Sequence, residues 1–571
     1  MICLNRTISL VGLTVFGCVF CPVSGQCYWT YDGAPVCTYD SLQWGPCLAP
    51  DGTGGVIVAW HDQRESEFHS YDIYAQRLDW TGTPLWTEDG VVVCKAEGTQ
   101  YYPRSVSDGA GGAIIIWQDG RVPGDFDIYA QRLDASGIAL WDSNGVAIWV
   151  GSRYDVGPEI VADGAGGAII TWWDINGCIY AQRIRADGTK VWSPDSGVSI
   201  CTVEHAQREP KIVSDGKGGA IITWYDHRAA ESFDVYAQRM DSLGTVSWTE
   251  GGVPICTDYH FQEHPEIASD EGGGAVITWE DVRNENDWDI YAQRIDGSGN
   301  VVWITDGVAV CVATGDQRHP RIVSDGTGGG IITWEHFDVQ SGNWDVYARR
   351  VNMAGVPLWT PSCGERICGA IGDQMKARLA SDGAGGAIIV WQDCRTDPSG
   401  DLYAQHVDST GTLFLCQSPH GEVICAKTGS QDQPLVISDG VGGIFVAWSD
   451  ARDGIGDIYA QHLDGFCDII GVPERTVPLV SSRLAQNVPN PFNPLCTIRY
   501  EIPQAAKVSL RVFDLSGSLV RTVVHAWREP GVYSEIWDGR ADDGRVLPSG
   551  VYFYRLEAGD FVVTRKMVLL H

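Results

Sequence analysis

Apolar residues along this chain recur in short β-rich runs, each set off by Asp-Gly or Gly-Gly turns and followed by a run that alternates apolar and polar positions. The text SDGAGGAIIIWQDGR around Trp117 returns as SDGKGGAIITWYDHR around Trp224. Equivalent tryptophans stand at Trp60, Trp117, Trp172, Trp224, Trp279, Trp334, Trp391 and Trp448, spaced by 52 to 57 residues. Each is followed by a Tyr-Ala dipeptide, from Tyr74 to Tyr459. Such a period marks a repeat architecture, and each unit reads as four strands. A short first strand such as 210–214 meets an Asp-Gly turn. A buried Gly-Gly-Ala-Ile-Ile-Thr-Trp strand follows, then an Asp-Ile-Tyr-Ala-Gln-Arg strand. The fourth strand runs through Trp and Gly-Val to a terminal Cys.

Spacing separates fixed turns from variable ones. The turn Asp (Asp51, Asp108 and their equivalents) precedes the Trp by 9 residues in all eight copies. The Tyr precedes the next turn Gly by 8 in the seven copies that have it, whereas Trp to Tyr varies from 8 to 14. The first-to-second and third-to-fourth turns are therefore rigid hairpins sharing one face, and the second-to-third loops lie on the other.

Four-stranded units in this number predict an all-β fold, an eight-bladed β-propeller over residues 26–464. A seven-bladed ring or two smaller propellers are the alternatives. The last unit stops after its third strand, at Asp464, while the fourth-strand signature of Asp89–Cys94 reappears ahead of the first unit as Asp32-Gly-Ala-Pro-Val-Cys37. Residues 32–37 are expected to complete the last blade and remove two exposed edges. Trp-x-Asp resembles WD40 text, but its Gly-His signature is absent. Asp-Gly-x-Gly-Gly resembles the sialidase Asp-box, but the Trp comes too late. The repeats thus resemble a β-propeller of no named family.

Composition adds export and charge. Arg6, the apolar run Ile8–Cys21 and the small residues before Gln26 read as a signal peptide over 1–25, which predicts a secreted or outer-surface protein. No later apolar run approaches the length of a transmembrane segment. The net charge is 40 − 73 = −33, which argues against nucleic acid or anionic lipid as partner. Of 18 cysteines, 15 remain after residue 25, an odd number. Those ending the fourth strands (Cys37, Cys94, Cys201, Cys256, Cys311, Cys368, Cys425) read as apolar filler, since equivalent positions in successive blades lie beyond disulfide reach. Cys27, Cys47, Cys363, Cys416 and Cys467 are left without assigned partners.

The recurrent Trp-x-Asp-x-Arg, as in Trp224/Asp226/Arg228, reads first as a structural pair at a strand end, with ligand contact as the alternative. Units three and six depart from it. The variable loops add His69, His227, Trp288, His336 and Trp344, and the adjoining Gln-x-x-Pro segments (Gln207, Gln262, Gln317, Gln431) belong to the same face. The expected ligand face is therefore Trp288, His336, Trp344, His227, Asp226 and Arg228, with a glycan or protein as ligand. No catalytic, cofactor or metal motif is present, so no cofactor or metal is expected. A binding or scaffold role is the first reading. A glycosidase- or lyase-like enzyme using scattered carboxylates is the second.

Composition changes after Asp464. A Pro- and Ser-containing linker covers 465–483, and residues 484–571 carry 10 basic and 9 acidic residues. Alternating strands there predict a small immunoglobulin-like sandwich. Asn487-Val-Pro-Asn-Pro-Phe-Asn-Pro494, Trp537-Asp-Gly-Arg540, Gly550-Val-Tyr-Phe-Tyr-Arg-Leu556 and Arg565-Lys-Met-Val-Leu-Leu570 resemble the type A sorting domain of type IX secretion cargo and the closely similar FlgD-like immunoglobulin domain. Val488 and the final His571 depart from the usual pattern. The resemblance implies a Gram-negative exporter and type IX secretion machinery as partner of residues 484–571.

Overall fold

The computed structural model describes residues 29–64, 70–151, 155–194, 197–229, 232–359, 363–414, 420–465, 467–470, 482–484, 487, 492 and 494–570. The signal segment 1–25, His69, Cys27, Cys416, most of the 465–483 linker and part of the 487–494 motif lie outside them. The described residues are all β, with no helix.

The repeated text folds into repeated four-stranded antiparallel sheets, in a propeller-like arrangement. Unit two shows the plan, with strands Gln100–Ser107, Ala113–Asp119, Asp127–Leu133 and Val146–Trp149. Its second strand is buried along its whole length, which is where β-branched Ile is densest. The invariant turn length has a local cause. Asp108 Oδ1 accepts the backbone N–H groups of Ala110 and Gly112, both at 2.8 Å, while Arg132 of the third strand donates to Asp108 Oδ2. One residue more or less in that turn breaks the set.

Sheets pack face on face. The first strand of each unit touches the first strand of the next, from Gln43–Pro50 onward, and the first strand of the last unit, Gln431–Ser438, touches Gln43–Pro50. A separate apolar cluster fills each gap. Between units one and two it contains Ala59, Ile73, Trp86, Ile115 and Trp117. Polar contacts stitch the same gaps. The Trp86 indole donates to the Ala135 carbonyl of the next unit at 3.1 Å, and Arg77 Nη1 donates to that same oxygen at 2.8 Å.

The strand Ala34–Cys37 pairs with the third strand of the last unit, Asp457–Leu463, through Ala34↔Ala460, Pro35↔Tyr459 and Cys37↔Ile458. An internal fourth strand uses the same register, with Val253↔Ala237, Pro254↔Tyr236 and Cys256↔Val235. The side chains match as well. Trp29 donates to the Trp80 carbonyl, as Trp86 does to Ala135, and Arg452 donates to the Asp32 carbonyl, as Arg64 does to Asp89. Gly33, at φ +90°, faces Trp448 so closely that a Cβ would lie 2.3 Å from the ring.

Three details differ from the sequence reading. First strands run eight residues and begin at the Gln, as in Gln207–Ser214, because a bulge absorbs the stretch before the Pro. Fourth strands are only four residues long, and the preceding Trp lies in a turn tied by a single bridge. One fourth-strand cysteine is not simple filler: Cys311 forms a disulfide with Cys363, which a turn of the next unit brings to a Cα–Cα distance of 4.5 Å. Pairing across units was within reach because only equivalent positions are far apart. The remaining fourth-strand cysteines, as well as Cys47 and Cys467, are buried and form no disulfide among the described residues.

The C-terminal strands form two sheets, Arg483–Leu484, Cys496–Ile502 and Gly531–Trp537 in one, and Leu519–Arg528, Ala506–Phe513, Gly550–Ala558 and Phe561–Leu569 in the other. Ile498, Tyr500, Leu510, Trp537, Tyr554 and Met567 share the core they enclose.

Candidate functional site

The Trp-x-Asp-x-Arg motif forms a closed cluster in the units that carry it whole. In unit four the Trp224 indole donates to Asp226 Oδ2 at 2.9 Å, and Arg228 donates to the same oxygen at 2.5 Å and to the Gly251 carbonyl at 2.7 Å. The Arg228 guanidinium lies 3.7 Å from the Tyr236 ring centroid and 3.4 Å from the Cys201 sulfur. One short motif thus ties the second and third strands of its sheet to the turn before the fourth and to the last strand of the preceding sheet. Asp226 has no exposed surface, and the Gln residues expected in the ligand loops are buried too. Gln207 donates its amide to the His205 carbonyl at 2.6 Å, inside its own loop. Asp226, Arg228 and the Gln set are thus engaged in the framework, as the first reading of the Trp-x-Asp-x-Arg motif expects.

The other expected residues sit at the same end of the sheets, half-buried. His227 packs on Phe233 with ring centroids 4.6 Å apart. Trp288 lies under Arg318, at 4.1 Å. His336 and Trp344 belong to unit six, where the second and third strands lengthen to Gly330–Asp338 and Asn343–Val351 and place Trp344 opposite Phe337. His336 stands edge-on to Tyr347, and burial lowers its proton affinity. These residues are spread over units four to six and do not converge on one point.

What converges is a set of positions that sequence reasoning missed. Two residues after each first-strand Gln, or after the Asp that replaces it in unit three, the bulge puts the backbone in the left-handed region. The positions are Gly45, Tyr102, Gly157, Glu209, His264, His319, Lys376 and Gln433, with φ between +50° and +62°. First strands of successive units pack side by side, so these residues form a continuous rim along one end of the sheets. Neighbouring units hold the rim. Glu280 accepts the His319 N–H at 2.7 Å, Glu335 accepts the Lys376 N–H at 2.5 Å, and Ser449 of the last unit accepts the Gly45 N–H at 3.2 Å.

Rim side chains are mostly open and polar. Tyr102 is 59% exposed, and the His319 side chain is 60% exposed. His319 Nδ1 lies 2.8 Å from Glu335, and Lys376 pairs with Asp432. His264 Nδ1 lies 2.9 Å from Glu209 Oε2, with the Tyr225 hydroxyl donating to Glu209 Oε1 at 3.5 Å. That contact raises the proton affinity of His264 and holds the Glu209 carboxyl below its usual range, while burial and then Glu209 push the Tyr225 phenol up. On the opposite side His61, Tyr71, Tyr101 and Tyr102 form an aromatic group, with His61 and Tyr71 4.8 Å apart.

Below the rim, the first strands carry a column of charges at one register level. Cys47, Arg104, Glu159, Lys211, Glu266, Arg321, Arg378 and Leu435 each face the equivalent residue of their second strand. Signs alternate across five units. Arg104 pairs with Glu159 at 3.5 Å, Lys211 bridges Glu159 at 3.0 Å and Glu266 at 3.6 Å, and Arg321 meets Glu266 at 2.6 Å. Burial works to raise the Glu159 carboxyl, but Lys211 and Arg104 outweigh it and hold it low. Burial works against the Lys211 charge, but Glu159 and Glu266 outweigh it and raise its affinity. Glu159 and Lys211 are thus both charged from above the lowered Glu159 value up to the raised Lys211 value. Lys211→Met leaves two carboxylates facing each other. It is expected to cost about 1–2 kcal/mol at neutral pH after allowance for channel water, read by denaturant unfolding. The difference from wild type should shrink once acid protonates Glu159. A loss that stays constant from neutral pH down to the onset of acid unfolding contradicts this account.

Among the described residues no three His, Cys, Asp or Glu side chains converge to hold a metal ion, and no helix is long and apolar enough to cross a membrane.

Among solved structures, the chain is similar to a puromycin hydrolase at 14% identity over 72% of this chain, with a TM-score of 0.38. It spans 59% of that hydrolase's length. It is similar to BP39L lectin from Burkholderia pseudomallei at 9% identity, over 67% of this chain and 100% of the lectin, with a TM-score of 0.43. A third similar structure is an ulvan lyase bound to a GlcA–Rha3S saccharide, at 11% identity over 77% of this chain and 96% of the lyase, with a TM-score of 0.39. No curated protein sequence matches the chain. Residues 495–560 match the FlgD Ig-like domain family, which accounts for the C-terminal sheets.

Proposed function

We propose that this chain is an extracellular binding protein whose ligand sits at the mouth of the axial channel of a closed eight-bladed propeller. Closure is supported by the pairing of Ala34–Cys37 with the last unit and by the contact of Gln431–Ser438 with Gln43–Pro50. Residues 1–25 act as a cleaved signal, 26–464 as the propeller and 465–483 as the linker. Residues 484–571 form an immunoglobulin-like module that hands the protein to type IX secretion machinery, for delivery to the outer surface or the medium. A version ending at Asp464 with its signal intact should remain in the cell. If it reaches the medium normally, the sorting role is wrong.

One observation carries the binding reading. Six of the eight rim positions hold non-glycine residues in a backbone conformation that costs such residues about 1–2 kcal/mol each. Gly45 and Gly157 occupy the same conformation, so the fold itself is served by glycine. Tyr, Glu, two His, Lys and Gln at the other six are retained for their side chains. Aromatic faces beside hydrogen-bonding carboxylates, His and Lys suit a polyhydroxylated ligand such as a glycan. The double variant Tyr102→Gly, His319→Gly is expected to melt at or above the wild-type temperature yet to lose binding on a glycan array. Loss of stability with retained binding reverses the assignment.

A second reading is enzymatic. It is favoured by the His264–Glu209–Tyr225 group, in which a histidine of raised proton affinity and a protonated phenol share one carboxylate. Such a group is able to pass a proton at a bound sugar. An activity screen with acidic and neutral polysaccharides, on wild type and Glu209→Gln, separates the two readings. Turnover that Glu209→Gln abolishes favours the enzyme.

A further inference from the structure

The charge column inside the channel does not balance. Its cations are Arg104, Lys211, Arg321 and Arg378, its anions Glu159 and Glu266, so this level carries 4 − 2 = +2 in a chain of net charge −33. Three of the cations meet a carboxylate directly. Arg378 meets none among the described residues: its only hydrogen bond is from Nη1 to the Ala377 carbonyl at 2.9 Å. On one side of it stands Arg321, another cation. On the other side Leu435 and Cys47 occupy the same level without charge, and Arg104 stands beyond them. Burial first, then Arg321, oppose the Arg378 charge; Glu266 and Glu335 offset part of this from beyond hydrogen-bond reach, and Arg104 adds to the opposition. A guanidinium keeps its proton in proteins, so this opposition is borne as instability of the empty channel. An uncompensated cation of this kind is costly, and a planar fork of donors matches an oxyanion with two parallel hydrogen bonds.

We propose that the axial channel binds one oxyanion group, a carboxylate or a sulfate, between Arg378 and Arg104 over the apolar floor of Leu435 and Cys47. The site rests on the closed ring proposed above, but not on whether the rim above it binds a glycan. The group arrives either as a free inorganic anion or as the acidic substituent of a larger ligand, with the same chemistry in each case. The acidic exterior repels anions elsewhere on the chain, which makes a saturable anion effect specific to this level.

The test is thermal unfolding of the full chain in sodium sulfate or sodium glucuronate, each up to about 10 mM against sodium chloride of equal ionic strength. Wild type is expected to gain a saturable rise in Tm over the chloride control. A response to sulfate alone identifies a free inorganic anion, and a response to glucuronate identifies an acidic sugar group; either supports the site. Arg378→Met deletes an unpaired charge, so it should fold, melt at or above wild type in chloride, and lose the rise. Arg378→Lys keeps a cation but not the fork and should retain a smaller rise. Isothermal titration of folded protein reads the same site without unfolding. The proposal is overturned if wild type shows no rise beyond chloride and no binding heat, or if Arg378→Met responds as wild type does.

Discussion

Deleting residues up to 40 is expected to destabilise the repeat domain by more than about 5 kcal/mol, lowering its Tm by at least about 5 °C. Trp29 is 2% exposed and packs with Val36, Cys37, Phe445 and Ala460 in the cluster between the last sheet and the first. Removing a buried Trp alone costs about 3–5 kcal/mol. The deletion also bares the third strand Asp457–Leu463 along one edge, frees Gln461 Nε2 from the Thr30 carbonyl, and leaves Arg452 without the Asp32 carbonyl. Exposed edges pair with other chains, so aggregation on refolding is the second expected sign. The measurement is calorimetry of the shortened protein beside a version truncated only to residue 26. Equal melting of the two contradicts ring closure by this strand.

Asp155→Gln is expected to stabilise the protein by about 3 kcal/mol at pH 8 and by little at pH 4. In the other units the equivalent residue is Gln, and in all of them but unit two its amide donates to backbone carbonyls of the preceding loop, as Gln374 does to Gly372 at 2.8 Å. Asp155 has no N–H to give. It is 1% exposed, and neither carboxylate oxygen receives a hydrogen bond of good geometry among the described residues. Burial, and then the charges of Asp174, Asp127 and Asp125, raise its carboxyl to about 8, although the nearby Trp149 indole offsets part of this. The sign follows from linkage. The unfolded chain releases this proton near pH 4 and the folded chain only near 8, so stability falls as pH rises across that window. Gln removes the slope. A gain equal at both pH values, or none at pH 8, refutes the assignment. Milder versions of the same slope come from Asp72, Asp234, Asp289 and Asp457, which face Asp62, Asp226, Asp281 and Asp450 across the second and third strands and are raised by burial to between about 6 and about 7.

Much of the framework was legible in the text of the repeats. The Asp-to-Trp spacing of 9 comes from a turn whose Asp bonds two N–H groups of that turn, and the missing fourth strand of the last unit from its transfer to Ala34–Cys37. The structural reading of Trp-x-Asp-x-Arg follows from bonds made within five residues. The expected ligand face was the less legible part. Gln207 and Asp226 looked like loop residues because a bulge that lengthens the first strand has no fixed sequence signature: Gly, Tyr, Glu, His, Lys and Gln all occupy it. One signal was available. Aligning the units on the Gln or Asp that opens each first strand puts Arg, Glu, Lys, Glu, Arg and Arg in a single column four residues later, a column of mixed sign unlike the repeat's other recurrent charges, which keep one identity.

The sequence by itself determined whatever depends on neighbours within one unit: the strands, the rigid turns, the Trp–Asp–Arg cluster and the need for a borrowed strand. These are local because hairpin geometry and short-range hydrogen bonds act over a few residues. Only the tertiary structure decided what the units make together. The Cys311–Cys363 disulfide joins positions 52 residues apart. The row of left-handed residues and the unbalanced charges at Arg378 belong to no single unit, because they exist only where first strands from different repeats pack side by side. Coulomb interactions between those side chains are set by that packing, and no spacing along the chain encodes it.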